Sequence, residues 1–392
     1  KQLALGEPAA AAELEDLERA AELGRRYLTG LRNEVVRLGL LAERQVGAET
    51  LRHIALLPYL RAQGCEIHYI GLAGSIEDKL ISEQRDVKFH AIESGKFRRY
   101  FSLKNLSDPF KVLKGISQSK KLMKSLQPDV VFSKGGFVSV PVVIAAKGKT
   151  TVICHESDYT PGLANRIAGR FADTICVTFE DTLEHLGKKR SAAVHTGTPI
   201  RRELFSGKRE RGLQFLGFDG KKPIILIMGG SLGAAALNDG VRAALPKLTK
   251  QFDIVHLCGK GKLDESINCP GYRQYEYIGR ELPDLLAATE LVVSRAGANA
   301  VFEFLALGIP ALLVPLPLGA SRGDQILNAE YVRKKGYAAV LPQEELTPEV
   351  LVDRVNELYA SRETYRANMK ADPTLDGTQE VMTVIMNAIN KK

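Results

Sequence analysis

An apolar run that ends in a glycine-rich turn, at residues 223–238 (PIILIMGGSLGAAALN), leaves few folds open to this chain. The apolar run has the composition of a buried strand, and small residues able to start a helix follow the turn. Glycines let the backbone approach an anion there, and the helix N-terminus adds N–H donors and a positive partial charge. The pattern predicts a diphosphate site at Gly230, Ser231 and Gly233, or else a tight structural turn. The lysine of a P-loop is missing, which disfavours ATP hydrolysis.

The same order of strand, turn and helix recurs at residues 292–317 (VVSRAGANAVFEFLALGIPALLVPLP). Ala298 and Asn299 follow the turn, and Glu303 lies near the start of the predicted helix. A carboxylate at that position can bond a ribose diol, as acids do in dinucleotide folds, or it can face the positive end of the helix dipole. The sequence leaves both interpretations open.

Asp324 and Gln325 lie in a polar stretch, residues 319–332 (GASRGDQILNAEYV), that leads into another predicted helix. Together with Asn328 they suit a polar ligand, and the alternative is an ordinary helix N-cap. The pattern alone does not decide between the two.

The first half of the chain carries two comparable strand–turn patterns. Residues 132–146 (FSKGGFVSVPVVIAA) place Gly135 and Gly136 between a strand and an apolar helix. His155 opens the second pattern and is either a catalytic base or a structural loop residue, since no nucleophile or metal ligand is spaced to cooperate with it. The polar residues of this second stretch, 155–166 (HESDYTPGLANR), are His155, Glu156, Asp158 and Asn165.

From residue 53 onward helical and strand patterns alternate, which predicts a doubly wound α/β architecture with parallel strands. The length of 392 residues favours two domains over a single core. A charged, glycine-containing stretch at 205–222 is typical of a linker between them. The predicted strands are 65–71, 87–92, 129–133, 151–155, 174–178, 193–196, 223–228, 253–258, 274–278, 291–294, 311–315 and 337–341.

Residues 1–52 differ in character from the rest of the chain. Apolar residues recur there with a 3-4 spacing from Leu14 to Ala42, which predicts a long helix, 14–42, with a coiled-coil-like seam. This helix either packs on its own domain or associates with itself or a partner. The chain begins with Lys1 and not with Met, as expected of a fragment.

The net charge of +8 is unevenly distributed. Residues 96–124 contain nine basic residues against one acidic residue, Asp108, with aromatic side chains between them. This mixture suits an anionic surface, either phospholipid headgroups or nucleic acid phosphates, or it is a solvated helix face with its apolar side in the core. No recognised nucleic-acid module accompanies it. The predicted membrane patch consists of Lys96, Phe97, Arg98, Arg99, Tyr100, Phe101 and Lys104.

Other classes of protein find little support in the sequence. The five cysteines are scattered without a Cys-x-x-Cys pair, which indicates reduced thiols in the cytosol and argues against disulfides and a zinc site. The longest apolar run, 304–320, contains three prolines and is too short to span a bilayer, and no secretory signal is recognisable. The sequence has no Asp-x-Asp motif for a metal–diphosphate complex, so metal-dependent transfer is not expected.

Five stretches together closely resemble the MurG family: SKGGFVSVPVVIAA, HESD…GLANR, TGTPIR, MGGSLGAAALN and SRAGANAVFE…GIPALLVPL…DQILNA. The resemblance extends from about residue 53 to the C-terminus and is greatest to its Gram-positive, streptococcus-like branch. Members of this family are peptidoglycan glycosyltransferases that move N-acetylglucosamine from UDP-GlcNAc to membrane-borne lipid I, forming lipid II.

The resemblance implies a GT-B fold, in which two Rossmann-like domains face a cleft. Residues 53–204 would form the acceptor-binding and membrane-associating domain and residues 223–376 the UDP-GlcNAc-binding domain, joined by the linker 205–222. The last helix, 377–392, would return to the first domain. The non-family helical extension, 1–52, would precede the first domain.

The resemblance also implies roles for single residues and for the reaction. Ser231 with its neighbours Gly230 and Gly233 would hold the diphosphate, and the turn at Ala298 and Asn299 would complete the donor site. The family's reaction is an inverting displacement that uses no metal or cofactor. It takes place at the cytoplasmic face of the membrane, and nucleic acid is not expected as a partner. Glu303 would bind the ribose, Asp324 and Gln325 the sugar, and Arg201 and Asn238 would support the donor, while Gly135, Gly136, His155, Glu156 and Asn165 lie on the acceptor side.

The sequence departs from the family at its start. Family members begin with a strand and a Gly-Gly-Gly-Thr-x-Gly-His loop, which approaches the lipid diphosphate and supplies the favoured base histidine. Residues 1–52 contain neither that motif nor a histidine, so strand and loop are predicted to be missing. Turnover is then expected to be impaired, and the alternative is a non-catalytic or fusion scaffold that binds UDP-sugar and a partner. Asp324 also stands where many relatives have Gln.

Overall fold

The computed structural model describes residues 37–41, 50–94, 108–229, 235–318 and 323–391, with only the backbone described at 37–41, 50–53, 76, 108 and 109. Thirteen strands lie within these residues. They are β1 Arg37–Leu41, β2 Glu66–Gly71, β3 Val87–Ala91, β4 Val130–Ser133, β5 Thr151–Glu156, β6 Thr174–Val177, β7 Ala193–His195, β8 Ile224–Met228, β9 Asp253–Leu257, β10 Tyr272–Tyr275, β11 Thr289–Ser294, β12 Ala311–Leu313 and β13 Ala338–Val340.

Helices connect most of these strands. The α-helices within the described ranges are α1 Thr50–Ala62, α2 Ile76–Ser82, α3 Asp108–Leu126, α4 Ser139–Ala146, α5 Leu163–Ala168, α6 Arg209–Leu216, α7 Ala235–Leu248, α8 Leu282–Ala288, α9 Ala298–Ala306, α10 Asp324–Lys334, α11 Pro348–Lys370 and α12 Thr378–Asn390. Short 3-10 helices occupy Glu180–Ala192, Arg202–Ser206, Gln343–Glu345 and Pro373–Leu375.

The strands form two separate parallel sheets. The first has the order β3-β2-β1-β4-β5-β6-β7, and the second has the order β10-β9-β8-β11-β12-β13. Every hydrogen-bonded pair in both sheets is parallel. The strand order reverses beside β1 and β4 in the first sheet, and beside β8 and β11 in the second. The predicted pair of doubly wound α/β domains is therefore confirmed.

Both faces of the second sheet are covered, which explains why its strands read as continuous apolar runs. In β8, Ile225 and Ile227 belong to one buried cluster, which includes Val241 and Leu245 of α7. Leu226, on the opposite face, belongs to a second buried cluster with residues of α9. The residues of β8 from Ile224 to Ile227 are fully buried, as the run PIILIM predicts.

The first strand of the family fold is present, which corrects the prediction from the sequence. Residues Arg37–Leu41, assigned above to the long helix 14–42, form β1 in the middle of the first sheet, paired with β2 and β4. Leu38 and Ala42 fit a helical spacing, but two flanking parallel strands supply hydrogen bonds that this local pattern cannot reveal. The rest of the predicted helix lies outside the described residues, as does the segment 42–49 that follows β1.

The stretch predicted as a linker, residues 205–222, is largely packed against the second domain. It contains α6, whose Gly212 approaches α8 so closely that an added Cβ would lie 2.2 Å from the Asp284 carbonyl oxygen. Arg211 pairs with the Asp284 carboxylate at 2.8 Å. Glycine here serves close helix packing, which in the sequence looks the same as a flexible connection.

The C-terminal helix returns to the first domain, as the resemblance implies. Val381, Met382 and Ile385 of α12 pack in one buried cluster with Leu57 of α1 and Phe132 of β4. Within the described ranges, no helix is both long and apolar enough to cross a bilayer.

Candidate active site

The predicted site residues cluster at the carboxyl ends of the strands, where open α/β sheets bind ligands beside the point of strand reversal. Gly135 and Gly136 follow β4, His155 and Glu156 end β5, and the turn at residues 295–297 follows β11. The diphosphate turn predicted after β8, with Gly230, Ser231 and Gly233, lies outside the described residues. So does the whole membrane patch from Lys96 to Lys104.

Gly135 and Gly136 form a turn that requires glycine. Their φ angles are +106° and +84°, in the region that side chains other than glycine rarely adopt. A Cβ on Gly135 would lie 2.3 Å from the side-chain oxygen of Asn165. The two predicted acceptor-side groups are therefore in direct contact.

Glu156 organises the loop that follows β5. Its carboxylate accepts hydrogen bonds from the backbone N–H of Asp158 at 2.9 Å, from that of Gly162 at 3.2 Å and from the Asn165 amide at 2.8 Å. The side chain is almost fully buried, and burial, with the nearby Asp158 charge, raises the pKa of the Glu156 carboxyl to about 7. Glu156 thus holds the loop in place from the first-domain side.

The contacts of His155 occupy both nitrogens of its ring. Its side chain has no solvent exposure, and Lys134 Nζ lies 2.8 Å from its Nδ1 while its Nε2 lies 2.9 Å from the Gly197 carbonyl oxygen. Because an ammonium only donates, Nδ1 accepts and Nε2–H donates to Gly197. Both ring nitrogens are engaged, which favours the structural interpretation of His155 over the catalytic one.

Arg201 and Glu303 form an ion pair although they are 102 residues apart in the sequence. Arg201 Nε donates to Glu303 Oε1 at 3.0 Å and Nη2 donates to Oε2 at 3.2 Å. The two side chains are only 11% and 15% exposed, so this bidentate pair is largely shielded from water. Two residues predicted for the donor site are thereby brought together.

Asn238, predicted to support the donor, is instead part of the interior of the second domain. Its amide donates to the Cys258 carbonyl at 2.9 Å, and its oxygen lies 3.0 Å from His256 Nε2. Only 2% of the residue is exposed. One amide N–H and the amide oxygen are thus engaged in the core, which favours a structural role for Asn238 over direct contact with a sugar nucleotide.

The remaining donor residues lie near the starts of α9 and α10. Ala298 is buried and Asn299 is half-buried in the first turn of α9. Gln325 accepts a hydrogen bond from the backbone N–H of Leu316 at 3.1 Å, which ties α10 to the loop after β12. Asp324 is half-buried in the first turn of α10.

Lys134, which the sequence reasoning passed over, and Asn328, which it named only as suiting a polar ligand, have prominent positions. Lys134 is a 2%-exposed cation directly before the glycine turn after β4. Asn328 of α10 has no exposure and donates to the Asp158 carboxylate at 3.2 Å, across the two domains. A lysine at a predicted strand end and an asparagine one turn into a helix were the available signals, but neither pattern reveals a partner distant in sequence.

Both halves of the chain match models of the same family. Residues 53–177 match the glycosyltransferase family 28 N-terminal domain, and residues 224–384 match the glycosyltransferase family 28 C-terminal domain. A transferase of Bacillus cereus, whose name reads UDP-N-acetylglucosamine–N-acetylmuramyl-(pentapeptide) pyrophosphoryl-undecaprenol N-acetylglucosamine transferase 2, is 52% identical over 86% of this chain and 94% of its own length. The chain belongs to the MurG family of glycosyltransferases.

Other MurG proteins support the same assignment. The transferase of Clostridium tetani is 50% identical over 85% of this chain and 93% of its own length. The crystal structure of Acinetobacter baumannii MurG superimposes with a TM-score of 0.69 at 26% identity, covering 90% of this chain and 99% of the other. The GT-B fold of the MurG family, expected from the sequence, is confirmed.

Proposed function

We propose that this protein transfers N-acetylglucosamine from UDP-GlcNAc to lipid I, forming lipid II. The observation that carries the proposal is the shielded Arg201–Glu303 ion pair, formed by two residues for which the family resemblance implies roles in the donor site. Relatives that share half of this sequence are named for this transfer. Neither those relatives nor the described residues favour a non-catalytic scaffold.

The reaction we propose is a direct, inverting displacement. The acceptor hydroxyl oxygen attacks the anomeric carbon of the sugar, and the new bond forms as the bond between that carbon and UDP breaks. The electron pair of the broken bond leaves with UDP, and the hydroxyl proton passes to a base. Backbone N–H groups at helix N-termini, beside the turns after β8 and β11, would stabilise the negative charge on the departing diphosphate.

The donor would use the ion pair at the cleft. We expect the ribose hydroxyls to donate hydrogen bonds to the Glu303 carboxylate, so that the Arg201 guanidinium turns toward the diphosphate. A planar guanidinium matches phosphate oxygens in pairs, as it now matches the carboxylate. Asp324 and Gln325, in the first turn of α10, would face the sugar, and no metal or cofactor takes part.

The acceptor would reach the first domain from a membrane surface. Phe110 and Leu113 of α3 are 74% and 63% exposed, which is unusual for apolar side chains. Farther along this helix an open cavity of about 810 Å³ is lined by Lys120, Lys121, Lys124 and Lys149 among other residues. Exposed apolar side chains beside a cationic cavity suit insertion at an anionic bilayer surface, on the cytoplasmic side where lipid I is used.

The donor assignment is tested by calorimetry and by UDP release. The protein should bind UDP-GlcNAc, and it should release UDP only when lipid I is present. Glu303→Ala should raise the Kd for UDP-GlcNAc about 10- to 100-fold, because hydrogen bonds to a charged group are lost. Glu349→Ala, which removes an exposed carboxylate of the same domain, should change neither quantity. Unchanged binding in Glu303→Ala would contradict the donor site.

The membrane assignment is tested by sedimentation with vesicles that contain phosphatidylglycerol. Replacing Phe110 and Leu113 together by serine should weaken binding at least about tenfold, since two exposed apolar side chains are lost. Phe205→Ser, an equally drastic change at a half-exposed residue outside α3, is the matched control. Binding should also fall as salt is raised. Binding that ignores both the substitutions and the salt would contradict this assignment.

A further inference from the structure

Asn328 joins three segments of the chain through one buried amide. Its side-chain oxygen accepts a hydrogen bond from the backbone N–H of Tyr159 at 2.9 Å. Its Nδ2 donates to the Asp158 carboxylate at 3.2 Å and to the Ala296 carbonyl oxygen at 3.2 Å. The residue has no solvent exposure, so both donors and the acceptor of the amide are engaged inside the protein.

The three partners of Asn328 come from opposite sides of the cleft. Asp158 and Tyr159 lie in the loop 156–162 after β5, which Glu156 holds from the first-domain side. Ala296 lies in the turn after β11, which leads into α9 and Glu303. Asn328 itself follows Asp324 by four residues on α10, so the two lie on the same face of the helix. One amide therefore connects the acceptor-side loop by hydrogen bonds to both donor-side segments and sets their relative position.

Apolar packing holds the same two domains together but does not fix this register. Tyr159 packs beside Tyr331 with ring centroids 6.1 Å apart, and Phe179 meets Phe302 edge-on at 5.2 Å. Such ring contacts tolerate small sliding movements, whereas hydrogen bonds are directional and weaken steeply when misaligned. The aromatic contacts help to hold the domains together, and the amide adds directional hydrogen bonds between the loop 156–162 and the turn 295–297.

We propose that Asn328 is a positioning residue for glycosyl transfer. It holds the loop 156–162 against the turn 295–297, so that the acceptor hydroxyl bound on the first domain lies in line with the anomeric carbon bound on the second. This proposal rests on the proposed function, since it assumes that the two substrates occupy the two sides of the cleft. A displacement of about 1 Å at such a contact is enough to lower a rate about 100-fold.

The first variant is Asn328→Asp, which keeps the shape of the side chain. It replaces the Nδ2 donor by an oxygen that faces the Asp158 carboxylate and the Ala296 carbonyl, while the acceptor for Tyr159 remains. We expect the single-turnover transfer rate to fall about 10- to 100-fold. The Kd for UDP-GlcNAc should stay within about threefold, because the donor contacts are unchanged.

The second variant adds Asp158→Asn to Asn328→Asp. The amide of residue 158 can then donate to the new carboxylate, so that the pair is restored with its direction reversed. Part of the lost rate should return, and the double-mutant cycle measures the coupling between the two positions. Asn368→Asp is the matched control, because it makes the same change at an exposed amide of the same domain.

Hydrogen exchange supplies a readout that needs no turnover. The peptide covering residues 156–162 should exchange faster in Asn328→Asp and recover in the double variant, even if wild-type protein transfers nothing to lipid I. A wild type without transfer would contradict the proposed function alone. Unchanged exchange in the single variant, or a Kd that rises in parallel with the loss of rate, would overturn the positioning role. If the single variant does not fold, a double variant that folds without regaining loop protection overturns it as well.

Discussion

The two fully buried histidines illustrate how burial decides the role of a titratable side chain. His155 lies between Lys134 and the Gly197 carbonyl, and His256 lies between the Tyr272 hydroxyl and the Asn238 amide. In both cases the ring nitrogens serve the interior, and no nitrogen is left for a substrate proton. Sequence identifies such residues as chemically capable, but only the contacts assign them to structure or catalysis.

His256 should make the second domain sensitive to acid. Burial, and then the nearby Arg242 charge, lowers the pKa of His256 to about 4. Because the pKa is lower in the folded state, the neutral imidazole stabilises the fold at pH values above the unfolded-state pKa. This contribution is lost as the pH falls through 4. In urea titrations from pH 7 to pH 4, the free energy of unfolding should therefore fall more steeply in wild type than in His256→Gln. Equal slopes would contradict the buried neutral imidazole.

Glu156 should give the first domain a pH dependence of stability opposite to that caused by His256. Because its pKa is raised to about 7, its contribution to stability is present below the unfolded-state value and is lost as the pH rises through 7. As the pH rises from about 4.5 to 7, the free energy of unfolding of wild type should therefore fall relative to that of Glu156→Gln. Thermal melts in this range measure it. A rise in the free energy of unfolding of wild type relative to Glu156→Gln would mean that the Glu156 carboxyl is ionised throughout this range.

At the scale of elements, the sequence predicted twelve of the thirteen strands that lie within the described residues, but not the first of them. β8 and β11 are recognisable because buried parallel strands are continuous apolar runs that end in glycine. β1 has only five residues and includes Gly39, so its local pattern is weak and fits a helix as well. Its position depends on the pairing of Leu38 with Ile67 and Val130, which are distant in sequence.

The position of β1 changes where a missing catalytic loop should be restored. Residues 42–49 connect the carboxyl end of β1 to Thr50, the first residue of α1, and contain no histidine. Replacing 42–49 by the family's Gly-Gly-Gly-Thr-x-Gly-His loop should raise turnover about 10²- to 10⁴-fold by supplying a general base. The same loop grafted at residue 53 would interrupt α1 and should not. Turnover assays on both grafts decide the matter, and a benefit at residue 53 alone would refute the β1 assignment.

At the scale of the molecule, the candidate site is assembled by contacts that no local pattern predicts. Arg201 and Glu303 are 102 residues apart, and Asn328 and Asp158 are 170 residues apart. The sequence proposed Glu303 from the turn before it, and the family resemblance supplied Arg201. Their mutual pairing, and the interior role of Asn238, depend on how the two sheets and their helices pack.

The C-terminal helix α12 packs on the first domain although it is distant in sequence, and it should stabilise that domain. Gly377, just before α12, approaches the strand-end segment so closely that an added Cβ would lie 2.1 Å from the Thr196 carbonyl oxygen. Gly377→Ala should therefore lower the free energy of unfolding by about 1–3 kcal/mol, because the helix must shift. Gly297→Ala is the matched control, since its φ is −69° and no atom lies within 4 Å of the added Cβ. Equal melting temperatures for the two variants would show that α12 is not held at this point.

Transfer of label from UDP-[¹⁴C]GlcNAc into the lipid fraction is the decisive measurement for the whole molecule. The full chain is incubated with the labelled donor and with vesicles that contain lipid I, and the extracted lipid is analysed by mass spectrometry. The expected result is a labelled lipid heavier than lipid I by one N-acetylhexosamine residue, formed by wild type and strongly reduced in Glu303→Ala. Tight binding of UDP-GlcNAc with no label in the lipid, even after the loop between Leu41 and Thr50 is restored, would contradict the assigned activity.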